Sequence, residues 1–240
     1  MSRLSVSGIT KRFGGITANR DISFDVAPGE LVGIIGPNGS GKSTLFEVIS
    51  GFSRPDAGEV RLDGGRLTGL PPDRVCRLGV ARTFQKLRPF AGLTVVDNVM
   101  IGALTRTRDV RHARTRARDL LDRVGLAEKA DAPARTLSTG QRKRLELARA
   151  LATEPQVLLL DEVTGGVDQR SIPGLVQLVR DLHRDGLTLL VIEHNMRVIT
   201  AVAQRILALY LGEKIADGPP DTVTRDRRVV EAYLGQAYAQ

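Results

Sequence analysis

Cysteine is nearly absent from this 240-residue chain, Cys76 being the single one. That excludes a disulfide framework, disfavours a zinc site built from Cys and His, and leads to the expectation of a reducing compartment. Aromatic residues make up only 4% of the chain, and none interleaves with its densest run of arginines. A stacking platform for single-stranded nucleic acid therefore finds no support. No apolar run approaches the ~20 residues needed to span a bilayer. Met1 to Ser7 lack the apolar segment of a secretory signal. What is present is ordinary for a globular protein, 42% hydrophobic and 26% charged residues. The length suffices to bury a substantial core, as one α/β domain or one domain carrying an inserted subdomain.

The formal charge is +8, and much of the excess lies in one segment. Arg106, Arg108, Arg111, Arg114, Arg116, Arg118 and Arg123 stand there against Asp109, Asp119 and Asp122. A solvated helix face beside Leu120, Leu121 and Val124 accounts for it, and a surface facing anionic headgroups is the alternative.

Short apolar runs recur at Leu31–Ile35, Leu78–Ala81, Val157–Leu160, Leu187–Ile192 and Arg205–Leu209, with helical stretches between them. Runs that are apolar throughout fit strands of a parallel sheet buried on both faces. Leu4–Ile9, Ile22–Val26 and Glu59–Leu62 alternate more and are separated by Gly, Pro and Asp turns, as a smaller antiparallel layer would be. Between about Leu87 and Thr153 helix dominates, and Leu145, Ala148, Leu151 and Ala152 recur at helical spacing before Pro155. This stretch reads as a helical subdomain inserted into the α/β core.

The most informative segment is Gly36-Pro37-Asn38-Gly39-Ser40-Gly41-Lys42-Ser43-Thr44. It matches G-x-x-x-x-G-K-[ST] and lies between a strand-like run and a helical one, the context that makes the pattern a phosphate site. Glycines let the backbone curl so that successive N–H groups face phosphate oxygens, and the helix N-terminus adds partial positive charge. Lys42 then reaches the outer phosphates and the Ser43 hydroxyl ligates Mg²⁺.

Four further features bear on what is done with the phosphates. Asp161 and Glu162 end the apolar strand Val157–Leu160, where an acid beside the loop can hold Mg²⁺ and its waters. Glu162 is placed to orient an attacking water or take its proton. In Leu137-Ser138-Thr139-Gly140-Gln141, Ser138 and Gln141 fit a capping box. The same helix N-terminus, with the bare backbone of Gly140, can instead bind a γ-phosphate, not necessarily one held by its own molecule. His194 follows the strand Leu187–Ile192 and stands level with Asp161 as a γ-phosphate contact. Gln85, in Arg82-Thr83-Phe84-Gln85, sits where the helical insertion begins and is a candidate link between nucleotide and subdomain.

In this order the motifs resemble those of the ATP-binding-cassette (ABC) ATPase family, over nearly the whole chain from Phe13 onward. By that resemblance Gly36–Thr44 is the Walker A loop, Asp161 and Glu162 the Walker B pair, and Leu137–Gln141 the signature motif. Gln85 corresponds to the Q-loop residue, which also reaches the metal, His194 to the switch histidine, and Asp168 to the D-loop aspartate. Phe13 is similar to the aromatic that stacks on adenine. The resemblance implies a P-loop (RecA-like) parallel-sheet core with an N-terminal antiparallel β layer. Residues 1–86 and 154–240 would form the core and residues 87–153 the helical subdomain, in a single domain spanning 1–240. It also implies ATP and Mg²⁺ held between two subunits, the Walker A loop of one facing Ser138, Gly140 and Gln141 of the other. Three positions depart from the family pattern: Thr139 where Gly is usual, Val163 where Pro is usual, and Gly165-Gly166-Val167 before Asp168. None removes a phosphate, metal or base group.

Within the family, the stretches Val80–Gln85, Leu93–Val99 and Arg227–Gly235 resemble importers of branched-chain, hydrophobic amino acids. That likeness implies separate permease subunits, a second and different ATPase, a substrate-binding protein, and a place on the cytoplasmic face of the membrane. The segment Lys86–Asn98 would line the groove that receives a permease helix. A transporter of another solute, such as urea or a lipid, uses the same motor. A nucleic-acid-linked ABC ATPase is favoured only by the charge, and no nucleic acid is expected as a partner.

Overall fold

The computed structural model describes residues 3–84 and 89–237. The chain runs β1 (Leu4–Phe13), β2 (Ile16–Val26), β3 (Leu31–Ile35), α1 (Lys42–Ile49), β4 (Ala57–Leu62), β5 (Gly65–Arg66), α2 (Pro72–Leu78) and β6 (Val80–Arg82). Three helices follow, α3 (Val95–Ala103), α4 (Val110–Arg123) and α5 (Thr139–Leu151). The remainder is β7 (Val157–Asp161), α6 (Ile172–Arg184), β8 (Thr188–Ile192), α7 (Met196–Val202), β9 (Arg205–Tyr210), β10 (Glu213–Gly218), α8 (Pro220–Arg225) and α9 (Arg227–Ala237).

Two sheets result. One is antiparallel in the order β2-β1-β4-β5; the other runs β10-β9-β3-β8-β7-β6, parallel from β9 to β6 with β10 antiparallel at its edge. The continuous apolar strands are explained by parity, since successive side chains of a strand point to opposite faces. Leu31 and Ile35, Leu158 and Leu160, Leu189 and Val191, and Ile206 and Ala208 enter the core shared with helices α3 to α9. Val32 and Ile34, Val157 and Leu159, Leu190 and Ile192, and Leu207 and Leu209 enter the core shared with α1 and the antiparallel sheet. Both faces are covered, so neither parity tolerates a polar residue until the strands end. They end together: Ile35 is level with Ala208, and Asp161 with Ile192. The polar residues that follow are thereby delivered to one edge of the sheet, the carboxyl end, where α/β sheets bind ligands.

One expected strand is corrected. Leu78 does not open a strand over Leu78–Ala81; it closes α2, Gly79 turns the chain at φ 114°, and β6 starts at Val80. Pro72 in the first turn, Asp73 at the start and Arg77 in the last turn suit a helix and its dipole. Its one turn of apolar periodicity is too short to read as helix. The strand β2 begins six residues earlier than the expected Ile22, and β10, α8 and α9 are additions.

The arginine-rich segment is largely neutralised where it stands. Arg114 pairs with Asp97 and Arg118 with Asp131, both at 2.8 Å, Arg116 with Glu154 at 3.4 Å, and Arg123 with Asp185. Arg106 instead donates to the carbonyls of Thr153, Arg77 and Cys76, tying the helices to α2. Ala113, Ala117, Leu120 and Leu121 form the buried face of α4. Among the described residues no helix is long and apolar enough to cross a membrane.

Candidate nucleotide site

The loop after β3 is shaped by two close approaches. A Cβ on Gly36 (φ 152°) would lie 2.2 Å from the Leu209 carbonyl oxygen, and one on Gly41 (φ 99°) 2.2 Å from that of Ala18. Only glycine fits either position. Gly41 is also the N-cap of α1, which has no acidic residue in its first turn. The positive end of that helix is therefore left for an outside anion. Asn19, buried on β2, donates to the Gly41 carbonyl at 3.1 Å and fixes the loop from beneath.

Residues 38–44 line a cleft of about 490 Å³ together with Ile16, Thr17, Ala18, Glu162, His194 and Leu211. Lys42 is buried, and its Nζ donates to the carbonyls of Gly36 (2.7 Å) and Pro37 (2.8 Å) and to Ser40 Oγ (3.3 Å). Burial pulls its pKa down, and the charges of Glu162 and Asp161 oppose that pull. A cation held on backbone carbonyls in a poorly solvated site gains by exchanging them for a phosphate.

Asp161 lies beneath the cleft, almost fully buried. Arg82 Nη2 reaches its Oδ2 at 2.8 Å, and its backbone N–H donates to Thr83 Oγ1 at 3.1 Å. Arg82 lies between the rings of Phe46 (5.8 Å) and Phe84 (5.2 Å). The other oxygen, Asp161 Oδ1, is buried with no hydrogen-bond partner. Such an acceptor costs free energy unless something fills it, which fits a bound cation or one of its waters. Among the described residues no cluster of three or more His, Cys, Asp or Glu could hold a metal by itself. That donor set suits Mg²⁺, which usually takes one or two carboxylates and otherwise substrate phosphates and water.

Glu162 has a left-handed backbone, φ 52°. Contacts from three other parts of the chain help hold it there. Its N–H donates to the Ile192 carbonyl at 3.0 Å, its carbonyl accepts from Lys143 Nζ at 2.6 Å, and its Oε1 lies 2.8 Å from His194 Nε2. A carboxylate only accepts, so His194 Nε2 is the donor. Residues held in sparse backbone regions by several neighbours cluster at functional sites. The buried Glu193 beside His194 accepts from both Thr164 N (2.8 Å) and Thr164 Oγ1 (3.0 Å), joining the end of β8 to the turn after Glu162.

The other predicted residues lie elsewhere. Phe13 is half exposed at the end of β1, under Lys11 Nζ at 5.1 Å; Ile16, Thr17 and Ala18 are the residues of that hairpin that line the cleft. Ser138, Gly140 and Gln141 form the start of α5 and contribute nothing to the cleft lining. Ser138 Oγ accepts from Gln141 N at 3.3 Å, and Gln141 Oε1 from Ser138 N at 3.0 Å, a closed capping box. Asp168 caps the next turn, accepting from Ser171 Oγ at 2.8 Å, and that bond holds its carboxyl below the usual range. A Cβ on Gly140 would come within 3.3 Å of the Ser171 side chain, so the two turns are neighbours. Gln85 lies outside the described residues. Sequence reasoning missed Asn19, Arg82, Lys143 and Glu193. Of these, only Glu193 carried a signal, as an acid directly behind an apolar strand.

Residues 19–165 match the model of the ABC transporter family, and residues 213–239 that of the branched-chain amino acid ATP-binding cassette transporter. The high-affinity branched-chain amino acid transport ATP-binding protein LivG of Escherichia coli K12 is 36% identical, covering 98% of each chain. BraF of Pseudomonas aeruginosa, of the same description, is 38% identical over 99% of this chain and 100% of its own. The ADP conformation of MJ1267, an ATP-binding cassette of an ABC transporter, superposes with a TM-score of 0.88 at 32% identity over 98% of this chain and 99% of its own. A dimeric post-hydrolysis state of the cassette MJ0796, bound to ADP and Pi, gives 0.82 at 29% identity, covering 90% of this chain and 98% of its own.

Proposed function

The chain belongs to the ABC transporter family as an ATP-hydrolysing, nucleotide-binding cassette, and from that premise we propose that it powers import of branched-chain amino acids through separate permease subunits. The observation that carries the ATPase reading is the convergence of Lys42, Glu162 and His194 on one cleft at the carboxyl edge of the sheet. The solute class rests on the relatives and on the match of the C-terminal segment.

Loop amides between Asn38 and Thr44 and the Lys42 ammonium bind the phosphates and stabilise charge on the transferring group, the main requirement of phosphoryl transfer. Ser43, Asp161 and Gln85 hold Mg²⁺, which neutralises phosphate charge when bound; the unpartnered Asp161 Oδ1 is the site's provision for it. Glu162 polarises the attacking water. His194, hydrogen-bonded to Glu162, keeps that carboxylate oriented and reports on the γ-phosphate, a role shared with Gln85. Phe13, half exposed on the hairpin whose Ile16, Thr17 and Ala18 line the cleft, stacks on the adenine.

Ser138, Gly140, Gln141 and Asp168 serve a second subunit's ATP rather than their own. Their position outside the cleft lining supports this, as does the dimeric form of a related cassette. ATP then has different affinities for the open and closed dimers, which is what driving a motion requires. In this reading residues 1–86 and 154–240 are the nucleotide core and 87–153 a helical subdomain that carries Ser138 and, with Lys86–Asn98, meets a permease. The partner ATPase is a different chain, a substrate-binding protein delivers the solute outside, and this chain works at the cytoplasmic face.

Glu162→Gln is expected to keep ATP binding, lower turnover by about 10²–10⁴-fold, and accumulate an ATP-bound dimer. Cells lacking this chain should lose uptake of radiolabelled leucine, isoleucine and valine, with rescue by the wild type and not by Glu162→Gln. Undiminished uptake of all three would refute the transport assignment, and wild-type turnover in the variant would remove Glu162 from its role.

A further inference from the structure

The first amide of the phosphate loop is not held by the loop itself. Gly36 is buried and stands one residue past the end of β3, where the ladder to β9 has closed at Ile35 and Ala208. Its N–H donates to the hydroxyl of Tyr233, 197 residues further along the chain, at 2.8 Å. Tyr233 belongs to α9, whose Val229 and Ala232 are buried and which packs the Tyr233 ring against the helical-side core. A second tie links the same part of the chain to the other side of the loop. Gly212 N–H, in the turn between β9 and β10, donates to the Ser40 carbonyl at 3.2 Å, beside Leu211 in the cleft wall.

We infer that Tyr233 is a positioning residue for nucleotide binding, and that the C-terminal helix is a structural part of the phosphate loop. The inference rests on the reading of residues 36–44 as the nucleotide's phosphate site. Lys42 Nζ at present spans the Gly36 and Pro37 carbonyls and so holds the first turn of the loop closed. To meet a phosphate it must leave them. The loop then keeps its curl only through contacts that do not use Lys42, and the Tyr233 hydroxyl on Gly36 N–H is the one at the loop's base. Without it a buried N–H has no partner, which penalises the loop conformation that binds.

Tyr233→Phe removes the hydroxyl and keeps the ring. In the full-length chain it should weaken binding of both Mg-ATP and Mg-ADP by about 5–20-fold, the effect of one buried hydrogen bond. Saturating kcat should stay within two-fold while KM for ATP rises, because the contact acts equally before and after the chemical step. Hydrogen exchange should accelerate at the Gly36 amide. Val223→Ala, which removes a buried side chain from α8, serves as a variant of comparable stability loss and should leave both affinities unchanged. Calorimetry on these two variants and on Lys42→Ala separates the outcomes. Weaker binding in Lys42→Ala with unchanged binding in Tyr233→Phe overturns the inference and leaves the phosphate site standing. Equal weakening by Val223→Ala overturns it as well, by reducing Tyr233 to general stability. Unchanged binding in both Lys42→Ala and Tyr233→Phe overturns the phosphate-site reading and the inference together.

Discussion

The cleft at Lys42 and the outer end of α5 at Ser138 offer the same chemistry, helix-terminal amides beside a hydroxyl, in opposite states of readiness. At the cleft, α1 is capped by Gly41, carries no first-turn acid, starts with the buried Lys42, and shares the cleft with Glu162, whose left-handed backbone is fixed from several sides. At α5 the donors are spent on each other: Ser138 and Gln141 close a capping box, and Ser138 is exposed. A site built to receive an anion leaves its helix start without an acidic or capping side chain and holds its lysine on backbone carbonyls that a phosphate can replace. A site that satisfies its own donors needs a second surface to draw them out. In the proposed two-subunit site, the first half is prebuilt by the sheet and the second awaits contact.

The strongest way to break that comparison is to unbuild the cleft from below. Arg82→Met removes the guanidinium that pairs with the buried Asp161 carboxylate at 2.8 Å, while keeping a side chain between Phe46 and Phe84. Breaking a buried pair from one side leaves an uncompensated charge and costs about 3–5 kcal/mol. Urea unfolding should register a loss of that size at pH 7. A loss below about 1 kcal/mol, the range of exposed pairs, would mean that the cleft floor is wet and not preorganised.

A second test concerns the joint between the two regions. Glu146 on α5 is buried and accepts from the Phe84 amide at 2.7 Å, next to β6, while its other oxygen has no partner. Burial pushes its carboxyl up from 4.5 to about 7, against the Phe84 bond and the nearby Lys143 and Arg149 charges that pull it down. The folded chain therefore binds a proton there that the unfolded chain has released. Stability from this group is complete below pH 4.5, falls as pH rises through about 7, and is gone above it. Glu146→Gln is neutral throughout and should gain on the wild type between pH 5 and pH 8, by at most about 3 kcal/mol at about 1.4 per unit. Parallel pH profiles for the two proteins would show that α5 meets the core through solvent, not through a buried contact.

The sequence made the prebuilt half readable and left the rest obscure, for physical reasons. Strands buried on both faces must be apolar throughout, so Leu31–Ile35, Val157–Leu160 and Leu187–Ile192 announced themselves, and the polar residues behind them had to share an edge. A glycine-rich loop is constrained at nearly every position, which is why Gly36–Thr44 reads as a motif. The supports carry no such constraint on their neighbours. Asn19, Arg82, Lys143 and Tyr233 act across 19 to 197 residues of chain. No local pattern records which distant backbone group each will meet. Short elements failed for a related reason. Seven residues of α2 hold less than two full helical turns, and periodicity says little over that length.

The smallest expected effect is the most discriminating, because it asks whether the Ser138 hydroxyl does anything beyond its own helix. Ser138→Ala removes both the cap, worth about 0.5–2 kcal/mol of chain stability, and any bond to a phosphate held by a facing subunit. The two losses are confounded in that variant. Ser138→Gly separates them, since glycine at an N-cap costs only a few tenths of a kcal/mol relative to serine. It leaves the helix start nearly intact while deleting the hydroxyl. If the hydroxyl reaches a charged phosphate on closure, Ser138→Gly should weaken ATP-dependent dimerisation by about 1.5–3 kcal/mol, as expected for a hydrogen bond to a charged group. Its unfolding free energy should stay near wild type. If the hydroxyl only caps, dimerisation measured by sedimentation should be the same for Ser138→Gly and the wild type. The outer end of α5 would then be an ordinary helix start, and the contrast between a prebuilt half-site and a waiting one would lose its second member.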